Sequence, residues 1–135
     1  MKILLDTSFL IELKKGNKNA LSILIDRKKK TQDILVSSLT IYELLSGAQY
    51  ILKKHGDIKE LKQIQEMLQN LTEAVIDIKV IWKAAELKAD LLVSGITVPD
   101  MDIIIACSED AEIITCDKDF ERLIDFGFKI TVLEK

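Results

Sequence analysis

At 135 residues, with 48% hydrophobic and 30% charged side chains, the chain has the size and composition of one globular domain and is too apolar to be disordered. A net charge of −3 argues against a globally basic nucleic-acid binder, and one histidine with two cysteines leaves no disulfide framework, no His-rich zinc site and little basis for a Ser-His or Cys-His nucleophile. No apolar run approaches the roughly 18 residues of a membrane span, and Asp6 and Glu12 interrupt the N-terminal apolar stretch, so a cytoplasmic chain without a secretory leader is expected.

Taken in order, Ile3–Leu5 reads as a buried strand, followed by a short helix over Ser8–Lys14. A helical stretch over Ala20–Lys29 leads to a strand at Ile34–Ser37. Ile41, Leu44, Leu45, Ala48, Ile51 and Leu52 then recur at helical spacing, as do Ile58, Leu61, Ile64, Leu68 and Leu71 after a break at His55-Gly56. A strand is expected over Ala74–Ile78 and a helix over Val80–Val93, closed by Gly95. Pro99 precedes a short helix from Asp100 to about Glu109. Glu112–Thr115 reads as a strand, Lys118–Phe126 as a helix and Lys129–Leu133 as a fifth strand. Strands alternating with helices predict an α/β fold whose parallel sheet is covered on both faces. Ligands bind such sheets beyond the carboxyl ends of the strands.

At those strand-to-helix junctions the sequence repeatedly places acids. Asp6 leaves the first strand, Glu43 follows the second in VSSLTIYELLSG, Asp100 and Asp102 sit in VPDMDIIIAC, and Asp117 and Asp119 follow the fourth strand in IITCDKDF. Each also has a purely structural use. Thr40-x-x-Glu43 fits a capping box, and Asp6, Asp100, Asp102 and Asp117 fit helix caps. Caps alone do not require the acids to crowd together. Two carboxylates about 4 Å apart repel by about 4 kcal/mol at an effective dielectric near 20, against a total domain stability of roughly 5–15 kcal/mol. The chain has only two arginines, Arg27 and Arg122, and no obvious arginine cluster to relieve that repulsion. Bound divalent cations would relieve it, and oxygen ligands favour Mg²⁺ or Mn²⁺ over zinc. Asp6 is thus expected to be a metal ligand. Such an ion suits phosphodiester hydrolysis and requires neither histidine nor cysteine.

The segments LLDTSFLIEL, LTIYELLSG, PDMDIIIAC and IITCDKDF, in that order, resemble those of PIN-domain ribonucleases of the VapC toxin kind. They span nearly the whole chain, and the ordered set rather than any one segment carries the likeness. The resemblance implies one PIN domain over residues 1–135, with a five-stranded parallel sheet of order 3-2-1-4-5 between helices. It implies Asp6, Glu43, Asp102 and Asp117 as catalytic acids, and Asp6, Asp102, Asp117 and Asp119 as metal-binding residues, Asp119 through water. Thr7 and Thr115 match the family's supporting hydroxyls, and Asp100, one helical step from the matching position, supports the site or only caps. Also implied are Mg²⁺ or Mn²⁺ as cofactor and cleavage of RNA to a 3′-hydroxyl and a 5′-phosphate. The expected partners are a second copy of the chain and a small antitoxin whose basic side chain enters the acidic groove. Cys116 stands where many relatives carry an arginine, which leaves any such contact to Lys118 or Arg122.

Outside these segments, Arg27-Lys28-Lys29-Lys30 is the densest basic run, expected as a solvated helix end with RNA phosphate contact as the alternative. Tyr42, Tyr50 and Trp82 are candidate interface anchors, and Cys107 and Cys116 are expected as core thiols. Two other enzyme classes place an acid after the first strand. A haloacid-dehalogenase-like phosphatase needs a second Asp where Ser8 stands, and a receiver domain needs an acidic pair where Thr7 follows Asp6. An RNA-processing PIN nuclease and a non-catalytic RNA- or protein-binding module remain as alternatives to the toxin.

Overall fold

The structure, a computed structural model, describes residues 1–134. Its centre is the strand β1 (Ile3–Leu5), whose three residues are fully buried because both faces of the sheet are covered. β1 pairs in parallel with β2 (Ile34–Ser37) on one side and β4 (Glu112–Thr115) on the other. β3 (Thr72–Ala74) extends the sheet beyond β2 and β5 (Ile130–Val132) beyond β4, giving the all-parallel order β3-β2-β1-β4-β5. This is the expected strand order.

Alternate strand residues face opposite layers. Leu4, Leu35 and Ile113 pack against α5 (Ile78–Val93), α6 (Asp100–Cys107) and the 3₁₀ helix Lys118–Phe126, through Leu87, Leu91, Ile103, Ile105, Phe120 and Leu123. Ile3, Leu5, Ile34, Val36 and Ile114 face the second layer. That layer is built by α1 (Thr7–Lys14), α2 (Lys18–Lys30), α3 (Ser38–His55) and α4 (Lys59–Leu68), through Phe9, Leu10, Leu24, Leu44, Ala48 and Ile64. Cys107 lies in the first core and Cys116 packs half-buried against the second.

Three element expectations are corrected. The third strand covers Thr72–Ala74 rather than Ala74–Ile78, because pairing ends where Ala74 meets Ser37 at the end of β2. Asp77 then caps α5, its carboxylate accepting from the Val80 amide at 3.0 Å. The stretch after β4 is a 3₁₀ helix rather than an α-helix. The helix after β2 begins at Ser38, with Ser37 Oγ accepting from the Leu39 amide at 3.2 Å. Glu43 therefore stands in the second turn and forms no capping box with Thr40. That helix ends at Gly56, whose φ of +68° a side chain would strain.

Candidate metal centre

Parallel strands deliver their carboxyl ends to one edge of the sheet, and three of the junctions there carry the expected acids. Asp6 is the N-cap of α1 and is only 3% exposed. Its Oδ2 accepts from the hydroxyls of Ser8 and Thr115, each at 2.8 Å, and from the Ser8 amide at 3.4 Å. Ser8 Oγ in turn accepts from the Cys116 amide at 2.9 Å, and Thr115 Oγ1 from the Asp117 amide at 3.0 Å. The cap of α1 and the end of β4 are thereby joined through one carboxylate oxygen. All three bonds fall on Oδ2, which leaves Oδ1 available.

Thr7, on the next residue, serves another acid. Its hydroxyl donates to Glu43 Oε1 at 2.7 Å and lies 3.0 Å from Thr40 Oγ1, tying α3 to α1. Asp117 caps the 3₁₀ helix by accepting from the Asp119 amide at 2.9 Å, which turns both carboxylates toward the same space. Asp102, in the first turn of α6, completes the group. One carboxylate oxygen from each of Asp102, Asp117 and Asp119 lies within 4.8 Å of the others.

The electrostatics single out Asp102. Burial pushes its carboxyl up to about 7, reinforced by the negative charges of Asp6, Asp117, Asp119 and Glu43. Five acids therefore act on one small volume. Among the described residues the only ion pair to any of the five is Arg122 Nη2 to Asp119 Oδ1 at 3.7 Å. An all-oxygen donor set with accumulated negative charge fits a hard divalent cation, which takes carboxylate and water oxygens.

Other expected positions fall outside this group. Asp100 neither caps α6, whose N-cap is Pro99, nor faces the acids: it is exposed and pairs with Lys88 at 2.8 Å. Arg27 is a correction. Its Nε and Nη2 donate to the two oxygens of Glu112 at 3.0 and 2.8 Å, and its Nη1 donates to Asp26 at 2.8 Å, so its guanidinium is committed to the fold. Glu112 begins β4, so Arg27 and the adjacent Lys28 stand at the opposite edge of the sheet from the acids. A cavity of about 430 Å³ also lies at that edge, beside Lys2, Glu109 and Phe128, where Lys2 and Glu109 pair at 2.9 Å. Of Lys118 and Arg122, both on the 3₁₀ helix, Arg122 reaches a site acid, Asp119, at 3.7 Å, whereas the exposed Lys118 lies 3.6 Å from Glu134, outside the group. Ser8 is the site residue that sequence reasoning passed over.

A five-stranded parallel sheet with acids gathered at its carboxyl edge defines an α/β domain suited to cation-dependent chemistry. The profile of the PIN domain matches residues 3–125, and the chain belongs to the PIN-domain family. Solved structures share the fold over nearly the full length. A chain of VapBC2 from Rickettsia felis, bound to a promoter DNA fragment, matches with a TM-score of 0.85 and 20% identity, over 99% of this chain and 100% of that one. A chain of DNA-bound VapBC from Salmonella typhimurium gives 0.80 and 23% identity, over 98% of each chain. A chain of VapBC-1 from nontypeable Haemophilus influenzae gives 0.77 and 22%, over 98% of each. No curated protein sequence matches. Among the described residues, no helix is long and apolar enough to cross a membrane.

Proposed function

We propose that this PIN domain, spanning residues 1–135, is a Mg²⁺- or Mn²⁺-dependent endoribonuclease and the toxin of a cytoplasmic toxin–antitoxin pair. The observation that carries the reading is the convergence of Asp102, Asp117 and Asp119 within 4.8 Å, beside a hydroxyl-locked Asp6. The solved relatives from VapBC complexes support the toxin assignment.

Asp6, Asp102, Asp117 and Asp119 would hold the cation, which supplies a low-pKa water and charge neutralisation at the scissile phosphate. Ser8 and Thr115 hold Asp6 in one orientation, so its open Oδ1 meets a ligand without a search through rotamers. Glu43, fixed through Thr7 at Oε1 with Oε2 uncommitted, is the group placed to take a proton from the attacking water. Water adds to phosphorus as its proton passes to Glu43, the P–O3′ bond breaks, the leaving oxygen takes a proton from solvent, and the products are a 3′-hydroxyl and a 5′-phosphate. The same negative edge suits a basic side chain of an antitoxin.

A second copy of the chain is the partner that α5 favours. Beyond its buried stripe, this helix exposes Ile78, Ile81 and Leu92, with Trp82 70% exposed. Lys79 and Lys83 lie in the first half of the helix and Glu86 and Asp90 in the second, where Lys88 is already paired with Asp100, so an antiparallel copy would oppose unlike charges.

The test is incubation of the partner-free protein with structured and single-stranded RNAs in Mn²⁺, Mg²⁺ or EDTA, beside Asp102→Asn. Metal-dependent cleavage lost in the variant is expected. Absence of cleavage on every RNA together with absence of Mn²⁺ binding would overturn the reading in favour of a non-catalytic module. Activity confined to a precursor RNA would favour processing over toxicity.

A further inference from the structure

The acids of the centre arrive on separate segments, and one side chain bridges two of them. Asp102 is delivered by α6, which follows the loop Ser94–Pro99. Asp117 and Asp119 are delivered by the turn after β4 and the 3₁₀ helix. α6 has no side-chain cap, because Pro99 occupies its N-cap; its first residue, Asp100, is held to α5 by Lys88, while among the described residues the loop before it has no such side-chain tie to α5. Arg122, on the 3₁₀ helix, reaches across. Its Nη1 donates to the Thr97 carbonyl in the loop, while its Nη2 stands 3.7 Å from Asp119 Oδ1. Among the described residues this is the one side-chain hydrogen bond that holds the stretch from Ser94 to Pro99.

We propose that Arg122 is a positioning residue of the acidic centre: its guanidinium fork sets the spacing between the Asp102 segment and the Asp117–Asp119 pair. The proposal rests on the reading of that centre as a cation site. Arginine suits the task because its planar fork offers separate donors to two acceptors at once, whereas the lysine ammonium acts as a point charge on a flexible stem. Arg122 is half exposed, so its part is geometric rather than a large contribution to global stability.

Charge and geometry predict opposite signs, which makes the idea testable. If Arg122 were only a nearby positive charge, removing it would strengthen the binding of another cation. As a positioning residue its loss weakens binding, by about tenfold on the scale of ligand-orienting partners. The experiment compares wild type, Arg122→Gln, Arg122→Lys and the remote charge control Lys62→Gln in two measurements. One is the Mn²⁺ dissociation constant from electron paramagnetic resonance. The other is amide hydrogen exchange in metal-free protein.

In Arg122→Gln, about tenfold weaker Mn²⁺ binding is expected, with faster exchange confined to residues 96–103. Arg122→Lys should recover less than half of the loss on a logarithmic scale, and Lys62→Gln should match wild type. Equal or tighter Mn²⁺ binding by Arg122→Gln would overturn the proposal, as would unchanged exchange at residues 96–103. Failure of the wild type to bind Mn²⁺ would sink the cation site itself. Exchange in the metal-free protein would still decide the bridging role of Arg122: acceleration confined to the loop upholds it, and its absence rejects it.

Discussion

The two edges of the sheet handle partly or fully desolvated carboxylates in opposite ways. Glu112, at the start of β4, receives the full fork of Arg27 and a 2.6 Å bond from Thr131 Oγ1, and the Arg27 hydrogen bonds hold its carboxyl below the usual range. Asp102, at the other edge, has four acids as neighbours and no pairing cation, and burial with that repulsion pushes it up to about 7. Both groups sit against the same sheet. The first is built as a closed structural joint. The second is left with unmet charge, which is what a site awaiting a cation requires. Burial of an acid alone does not indicate function, but burial without compensation does.

The contrast can be broken most severely at Asp102. Asp102→Asn should lower RNA cleavage by roughly a thousandfold or more, the scale of losing several kcal/mol of metal-assisted stabilisation. The same variant should leave the metal-free protein at least as stable as wild type in urea titrations at pH 8.

At the paired edge the expectation reverses. Arg27→Met leaves Glu112 buried and unpaired and should destabilise the fold by on the order of 3 kcal/mol, read as a fall in urea midpoint. The double variant Arg27→Met/Glu112→Leu should recover most of that loss, with cleavage per folded molecule unchanged throughout.

Acidity separates the edges with opposite signs. Asp102 has a raised folded pKa, so its favourable contribution is complete below about 3.8 and is lost as pH rises through about 7. Glu112 has a lowered one, so its contribution is present above 4.5 and is lost as pH falls through the folded value. Metal-free wild type should therefore lose roughly 1–2 kcal/mol relative to Asp102→Asn between pH 5 and 8, after allowance for solvent screening of the half-buried Asp102. Saturating Mg²⁺ should reverse the trend, because binding requires the ionised carboxylate. Urea titrations at the two pH values, with and without Mg²⁺, measure the Asp102 trend and its reversal, and a further titration below pH 4.5 reads the opposite sign at Glu112.

The smallest expected effect is at Ser8. Ser8→Ala removes one donor to Asp6 and the hydroxyl that the Cys116 amide donates to, so a loss of about 1 kcal/mol is expected. Mn²⁺ affinity, measured by titration calorimetry, should fall about tenfold as Asp6 loosens.

Much of this arrangement can be read before any coordinates exist. β1, β2 and β4 are short apolar runs because both sheet faces are covered, and such runs announce themselves. Asp6, Glu43, Asp117 and Asp119 are legible because each follows a strand, and Asp102 because it stands in the first turn of a short helix after Pro99. What local pattern misreads is pairing at long range. Thr40-x-x-Glu43 has the spacing of a cap, yet Glu43 answers to Thr7, 36 residues earlier. Arg27 looks like part of a solvated basic run, and only its contact with Glu112, 85 positions away, shows that it belongs to the fold. Ser8 resembles any residue of a first helical turn until Thr115 and the Cys116 amide arrive beside it. The pattern of the edge strand β3 misleads because Val75 and Ile78 have strand-like character, while Asp77 caps the helix that claims Ile78.

The position of β4 has a consequence for the order of synthesis. It pairs with β1 at the centre of the sheet, yet it is encoded after residue 111, and it brings Thr115 and Asp117 with it. A chain emerging from the ribosome carries Asp6 and Glu43 early, but Asp6 then lacks the Thr115 hydroxyl and the central slot beside β1 is empty. The acidic edge therefore comes into being only after residues 112–119 have been made, when the later strand docks against the earliest one. A nascent chain thus cannot assemble the centre beside the very RNA that encodes it until its fold is nearly closed.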